Sequence, residues 1–99
     1  MSNQVDVDPE ELRMFVARLI NSADTFDAEA SRMRKDYKAQ EVHWNDQRYR
    51  EFSHIIDHNA KILGDFSTSC REFAVVLRRR AALIEEAMQV SFRNPPYRP

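Results

Sequence analysis

Apolar residues in the first third of the chain recur at spacings that alternate between four and three residues. This alternation is typical of a helix that packs along a supercoiled seam. Asp8 can cap such a helix, and Pro9 suits its first position because proline lacks an N–H. We therefore predict a helix over about residues 9–38. Its seam consists of Leu12, Val16, Leu19, Ala23, Phe26, Ala30, Met33 and Tyr37.

A second, longer segment repeats the alternation and predicts a helix over about residues 46–90. The predicted seam is Tyr49, Phe52, Ile56, Asn59, Leu63, Phe66, Cys70, Phe73, Leu77, Arg80, Ile84 and Ala87. Another apolar row lies directly beside it and consists of Ile55, Ile62, Val76 and Leu83. Together they form a stripe wider than a two-stranded coiled coil needs, so we expect this helix to contact more than one neighbour.

Residues 39–45 connect the two predicted helices, and Asn45 or Asp46 can cap the second one. A connection this short requires the helices to be antiparallel neighbours. Residues 1–8 and the proline-rich residues 91–99 are expected to be flexible flanks. The predicted fold is therefore all-α: one antiparallel two-helix hairpin over residues 9–90.

Composition and charge narrow the class of function. A single glycine in 99 residues disfavours sheet-rich folds, which need many turns. The net charge is −1, with six acids and six bases over residues 9–38 and seven of each over residues 45–90. No segment carries the one-sided field that nucleic acid or an anionic membrane attracts. No apolar run approaches the roughly 20 residues of a membrane span, and the start has no signal-peptide pattern.

Catalytic or metal-binding patterns do not emerge from the sequence. His54 and His58 are one helical turn apart, but no third ligand is placed to complete a zinc site. The single Cys70 excludes an intramolecular disulfide and occupies a core position. We predict that the protein is not an enzyme and binds no cofactor or metal.

One hairpin cannot bury all of its apolar surface. The excess includes Phe15, Ile20, Ile55 and Ile62, each worth roughly 1.5–3 kcal/mol if fully buried. Small two-helix units without a disulfide or metal rarely hold together alone. We therefore expect dimerisation into a four-helix bundle, as a homodimer or as a heterodimer with a similar hairpin.

Between the two helices stands Trp44-Asn45-Asp46, with Tyr49 and Phe52 following at core positions. This arrangement resembles the WXG family of small early-secreted-antigen-like hairpins over about residues 7–89. The resemblance implies a helical-hairpin dimer linked to bacterial type VII secretion, acting as a secreted substrate or co-secreted adaptor. It also implies non-classical secretion, or residence in the cytoplasm before export.

Two departures from the family pattern bear on that role. Asp46 replaces the glycine of the motif, so Asn45 or Asp46 has to supply a positive φ, or the loop has a different shape. Many exported members carry Tyr-x-x-x-Asp/Glu after the second helix, whereas Tyr97 is followed by only two residues. Tyr37 and Glu41 have that spacing at the end of the first helix. A cytosolic targeting chaperone for a larger effector therefore remains an alternative, and the partner could also be the secretion machinery.

The predicted partner-binding residues form two groups. Trp44 can dock a partner or staple the hairpin, because an indole has an apolar body and a polar N–H. Asn59 can set register or partner choice, or lie half-exposed. A helical nucleic-acid-associated regulatory dimer is a third reading, and it requires a basic face that the sequence does not supply. The turn group is Trp44, Asn45, Asp46, Tyr49 and Phe52, and the helix group is Phe15, Ile20, Ile55, Asn59 and Ile62.

Overall fold

The protein is a hairpin of two long helices. The structure, a computed structural model, describes residues 7–93, with side chains through residue 90. Helix α1 spans Pro9–Ala39, a 3₁₀ turn spans Gln40–Val42, and helix α2 spans Gln47–Arg93. The predicted all-α hairpin is confirmed, and α2 continues three residues beyond its expected end. The flexibility expected of residues 1–6 and 94–99 lies outside the described residues.

Both helices begin with an aspartate cap. The Asp8 carboxylate accepts a hydrogen bond from the Glu10 backbone N–H at 2.9 Å, ahead of Pro9 in the first turn of α1. Asp46 accepts from the Tyr49 N–H at 3.0 Å at the start of α2. No described residue has a positive φ. The loop therefore differs from a glycine-dependent turn, and Asp46 acts as a cap.

The predicted seam of α1 is confirmed. Val16, Ala23 and Ala30 are buried at intervals of seven residues. The remaining seam positions are half-buried, namely Leu12, Leu19, Phe26, Met33 and Tyr37. The alternation of apolar residues was sufficient to identify this seam because α1 has only one continuous apolar stripe.

The predicted seam of α2 is wrong in one of its two rows. Phe66 and Phe73 were expected to face α1, yet they are 58% and 49% exposed. The row that packs on α1 lies one position further along the chain and is made of small residues: Ser53, Ala60, Ser67, Ala74 and Ala81. Small side chains let two helices approach closely, which a row of phenylalanines would prevent. The other predicted row is half-buried as expected and consists of Ile56, Leu63, Cys70, Leu77 and Ile84.

One face of the hairpin is polar and crossed by ion pairs between the helices. Arg71 contacts Asp24 at 2.7 Å and Asp27 at 2.9 Å. Arg13 bonds Glu85 at 2.5 Å near the open end of the hairpin. These side chains are largely exposed, so solvent screens each pair and its contribution to stability is small. Their main effect is to favour one register between the helices.

The other face of the hairpin has no layer behind it in the described chain. The principal dimensions are 83 × 24 × 14 Å, and the two shorter ones correspond to two helices side by side, each about 10–12 Å wide. No helix within residues 7–93 combines the length and the apolar character that a membrane crossing requires.

We expect Ala74→Leu to destabilise the hairpin by about 1–3 kcal/mol, because Ala74 is fully buried where α2 packs on α1. Its neighbour Val75 is 43% exposed, so Val75→Leu serves as the control and should change stability by less than about 0.5 kcal/mol. Urea unfolding followed by far-UV circular dichroism, at one protein concentration, measures both. Equal midpoints for the two variants would contradict the small-residue packing.

Candidate interaction surface

Helix α2 carries a second pair of rows that repeat every seven residues, and it lies beside the rows that pack on α1. Its positions are separated by three and four residues in alternation, which is the spacing of the positions that pack on a partner helix in a coiled coil. Its large apolar side chains are between 44% exposed at Phe52 and 64% exposed at Leu83. We call this set the outer seam: Phe52, Ile55, Asn59, Ile62, Phe66, Ser69, Phe73, Val76, Arg80 and Leu83.

Aromatic contacts hold the outer seam against α1. The ring of Phe66 meets that of Phe26 edge-on at 5.5 Å. Phe73 meets Phe15 in the same way at 6.4 Å. Edge-to-face pairs of this kind fix the orientation of both rings. The exposed apolar face therefore extends from α2 onto α1, where Phe15 lies at its edge.

Trp44 lies at the turn end of the outer seam. Its ring is 5.4 Å from that of Tyr49 and 6.0 Å from that of Phe52, and the residue is 37% exposed. The indole thus packs on the start of α2 while part of its surface remains open to a partner. Both roles expected for Trp44 are compatible with this geometry.

A pair of tyrosines closes the hairpin beside Trp44. The rings of Tyr37 and Tyr49 stack at 4.4 Å with an interplanar angle of 3°. The Tyr37 hydroxyl donates to the Tyr49 carbonyl, and the Tyr49 hydroxyl donates to the Tyr37 carbonyl at 2.9 Å. The Tyr37 carbonyl also accepts from the Gln40 backbone N–H at the end of α1, so the bond from the Tyr49 hydroxyl is an additional one. We call this arrangement the tyrosine lock.

The structure brings together six of the ten residues predicted to bind a partner. Phe52, Ile55, Asn59 and Ile62 share the outer seam, Phe15 borders it, and Trp44 lies at its turn end.

The other predicted residues lie elsewhere. Tyr49 is only 7% exposed because its ring belongs to the tyrosine lock, so it is not part of the exposed surface. Ile20 is half-buried in the same heptad row as Arg13 and Asp27, which places it on the ion-paired face. Asp46 caps α2, and Asn45 is exposed in the turn without a side-chain hydrogen bond among the described residues.

Sequence reasoning placed Phe66 and Phe73 in the intramolecular seam and so missed them as surface residues. The signal that could have identified them is the row of serine and alanine at the next position, which repeats every seven residues. Two equally periodic rows compete for α1, and the small one allows the closer approach.

A groove of about 480 Å³ lies beside Gly64 on the ion-paired face. Its charged lining, Asp27, Arg34, Lys61 and Asp65, balances in sign. Within residues 7–93, no three His, Cys, Asp or Glu side chains are grouped to hold a metal ion.

Comparison with known proteins identified no relative. The chain matches no protein-family model, no curated protein and no solved structure. The resemblance to WXG hairpins therefore stays a hypothesis based on the residues around Trp44.

The tyrosine lock should make the hairpin sensitive to alkaline pH. Burial of the rings raises the pKa of both Tyr37 and Tyr49, and nearby charges, including Asp46 and Glu41, raise it further. The folded chain then holds these protons more tightly than the unfolded chain. This stabilisation is complete below about pH 10 and is lost as the pH rises through the raised values.

We expect urea midpoints to fall between about pH 8 and about pH 11, and to fall less in the Tyr37→Phe/Tyr49→Phe variant. Each single variant should lose about 0.5–1.5 kcal/mol at neutral pH, since one hydrogen bond is removed. Near-UV absorbance follows ionisation directly, and Tyr97 is common to all variants. An identical alkaline loss in the double variant would show that other groups cause it.

Proposed function

We propose that this chain is a non-enzymatic interaction module whose outer seam pairs with a second helical hairpin to complete a four-helix bundle. The observation that supports the proposal is the outer seam itself. It repeats over ten heptad positions on α2 and is half-exposed along its length. A contiguous apolar face of this kind marks interfaces in soluble proteins.

The energetics favour a partner on this face. Each half-exposed large side chain gains on the order of 1 kcal/mol when a partner covers it. The fully buried positions of the intramolecular seam are mostly alanine and serine, which bury little apolar area, as at Ala60, Ser67 and Ala74. A two-helix unit of this size has a small margin of stability. Pairing through the outer seam adds the apolar burial that the hairpin lacks.

The biological role we propose is that of a secreted substrate or co-secreted adaptor in a type VII-like pathway. Its support is the resemblance around Trp44, together with a hairpin whose only broad apolar face in the described chain is the outer seam. The second hairpin is another copy or a similar protein, and the exposed part of Trp44 is available to the partner at one end of the bundle.

A cytosolic targeting chaperone is the second candidate role, and one contact favours it. Tyr37 and Glu41 have the spacing of the family's export signal, but the Tyr37 ring is stacked on Tyr49 in the tyrosine lock. A tyrosine held in this way is not presented to a receptor. In this version the export signal belongs to the partner, a larger effector with a helical leader.

The interface can be located by placing a photo-cross-linking amino acid at single positions in the full chain within its source cells. At Ile62 or Val76 we expect an adduct of defined mass whose second component is a helical hairpin. At Thr68, which is exposed and lies outside the outer seam, we expect none. Equal labelling at all three positions would contradict the assignment of the surface.

Export distinguishes the two candidate roles. A substrate or co-secreted adaptor should accumulate in the culture supernatant and disappear from it when the secretion ATPase is deleted. A chaperone should stay in the cell while its effector is exported. A cytosolic marker protein controls for lysis, and supernatant protein that does not depend on the ATPase would contradict both roles.

A further inference from the structure

We propose that the outer seam binds a helix of a different protein whose flanking positions are basic, in preference to a second copy of this chain. This inference rests on the proposed function, because it specifies the partner of the same surface. It follows from the charges that border the outer seam.

A row of four acids, one arginine and one histidine borders the outer seam on α2. This row repeats every seven residues, is exposed throughout, and occupies the position that contacts the edge of a partner helix in a coiled coil. Asp65 is bonded to Lys61 on its own helix at 2.9 Å. Glu51 and Glu72 have no cationic partner among the described residues. We call this row the rim: Glu51, His58, Asp65, Glu72, Arg79 and Glu86.

The opposite border, on α1, is acidic as well. Glu29 and Asp36 follow Phe15 in the same heptad row and continue the edge of the apolar face. Arg32 contacts Glu29 at 2.6 Å and Asp36 at 3.8 Å, and it lies on the same helix. The apolar face therefore has carboxylates along both of its long edges.

Pairing of two copies would bring like charges together. A two-fold axis parallel to the helices would pair α2 with α2 in parallel and place Arg80 opposite Arg80 of the second copy, whereas a perpendicular axis makes the two helices antiparallel. The register with full overlap puts Glu51 opposite Glu86 of the second copy, and Asp65 opposite Glu72. Each of these contacts also occurs a second time by symmetry.

Other self-pairings have their own cost. A slide of one heptad brings Arg79 opposite Glu51 or Asp65, but it shortens the apolar overlap and places either Asp65 or Glu72 opposite its own copy. The alternative two-fold arrangement packs α2 on α1 and presses Glu29 and Asp36 onto apolar side chains of the outer seam. Arg32 accompanies these carboxylates, so the arrangement also desolvates their ion pairs, whose attraction often fails to offset the lost hydration.

Arg80 specifies the partner further. It interrupts the outer seam between Val76 and Leu83, and no described carboxylate lies within ion-pair distance of it. In the full-overlap register of two copies, Arg80 would lie opposite Ile55. The partner therefore has an apolar heptad seam, Lys or Arg at its flanks, and one acid opposite Arg80.

The test uses the full chain and two designed helices with identical Leu/Ile heptad seams. One helix has Lys at its flanking positions and the other has Glu. By fluorescence anisotropy at low salt, we expect the Lys helix to bind roughly tenfold more tightly, because several exposed ion pairs each contribute a fraction of a kcal/mol. The ratio should shrink as salt screens the rim.

Two charge variants make the test specific. Glu51→Lys/Glu72→Lys alters the rim and should abolish or reverse the preference for the Lys helix. Glu41→Lys/Asp57→Lys changes the net charge equally but lies in the turn and on the ion-paired face, and should retain the preference. Far-UV circular dichroism checks that both variants keep their helices.

The outcomes separate this inference from the proposed function. Equal binding of the two helices, or a preference that the rim variant retains, overturns the charge assignment and leaves the interaction module intact. A stable homodimer that Ile62→Asp dissociates overturns the preference for a different protein. Failure of both helices to bind overturns the inference and also removes the support for the outer seam as an interface.

Discussion

The close packing of α1 on a row of small residues in α2 is the constraint from which the rest of the structure follows. Ala74 and Ala81 have no exposed surface, and Ala23 on α1 has none either. Because this contact uses alanine and serine, it turns the phenylalanine row of α2 outward. The exposed apolar face is thus a direct consequence of how the hairpin closes.

The two faces of the hairpin have different contacts: one sets the register between the helices, and the other orders the exposed aromatic rings. Ion pairs on one face, such as that between Arg71 and Asp27, favour a single register between α1 and α2. On the opposite face, Phe15 and Phe26 of α1 contact the rings of Phe73 and Phe66 from one side only. A surface that is ordered in advance loses less side-chain entropy when a partner covers it. The polar face carries the ion pairs between the helices, and the apolar face is the surface that we propose for a partner.

The turn contributes order without glycine. Tyr37 and Tyr49 stack and exchange hydrogen bonds with each other's backbone, so the ends of the two helices are joined by side chains. Trp44 then packs on the start of α2. These contacts make the closed end of the hairpin rigid enough to present an aromatic residue next to the outer seam.

The sequence by itself determined the two helices, their caps, their antiparallel arrangement and the seam of α1, because periodicity and capping are local properties. It also indicated more apolar surface than one hairpin buries. Only the tertiary structure decided which of two neighbouring rows of α2 faces α1, since hydrophobicity favours Phe66 and Phe73 whereas close approach favours Ser67 and Ala74. Packing decides between burying more apolar area and bringing the helices closer together, and the result determines which apolar residues of α2 are left exposed.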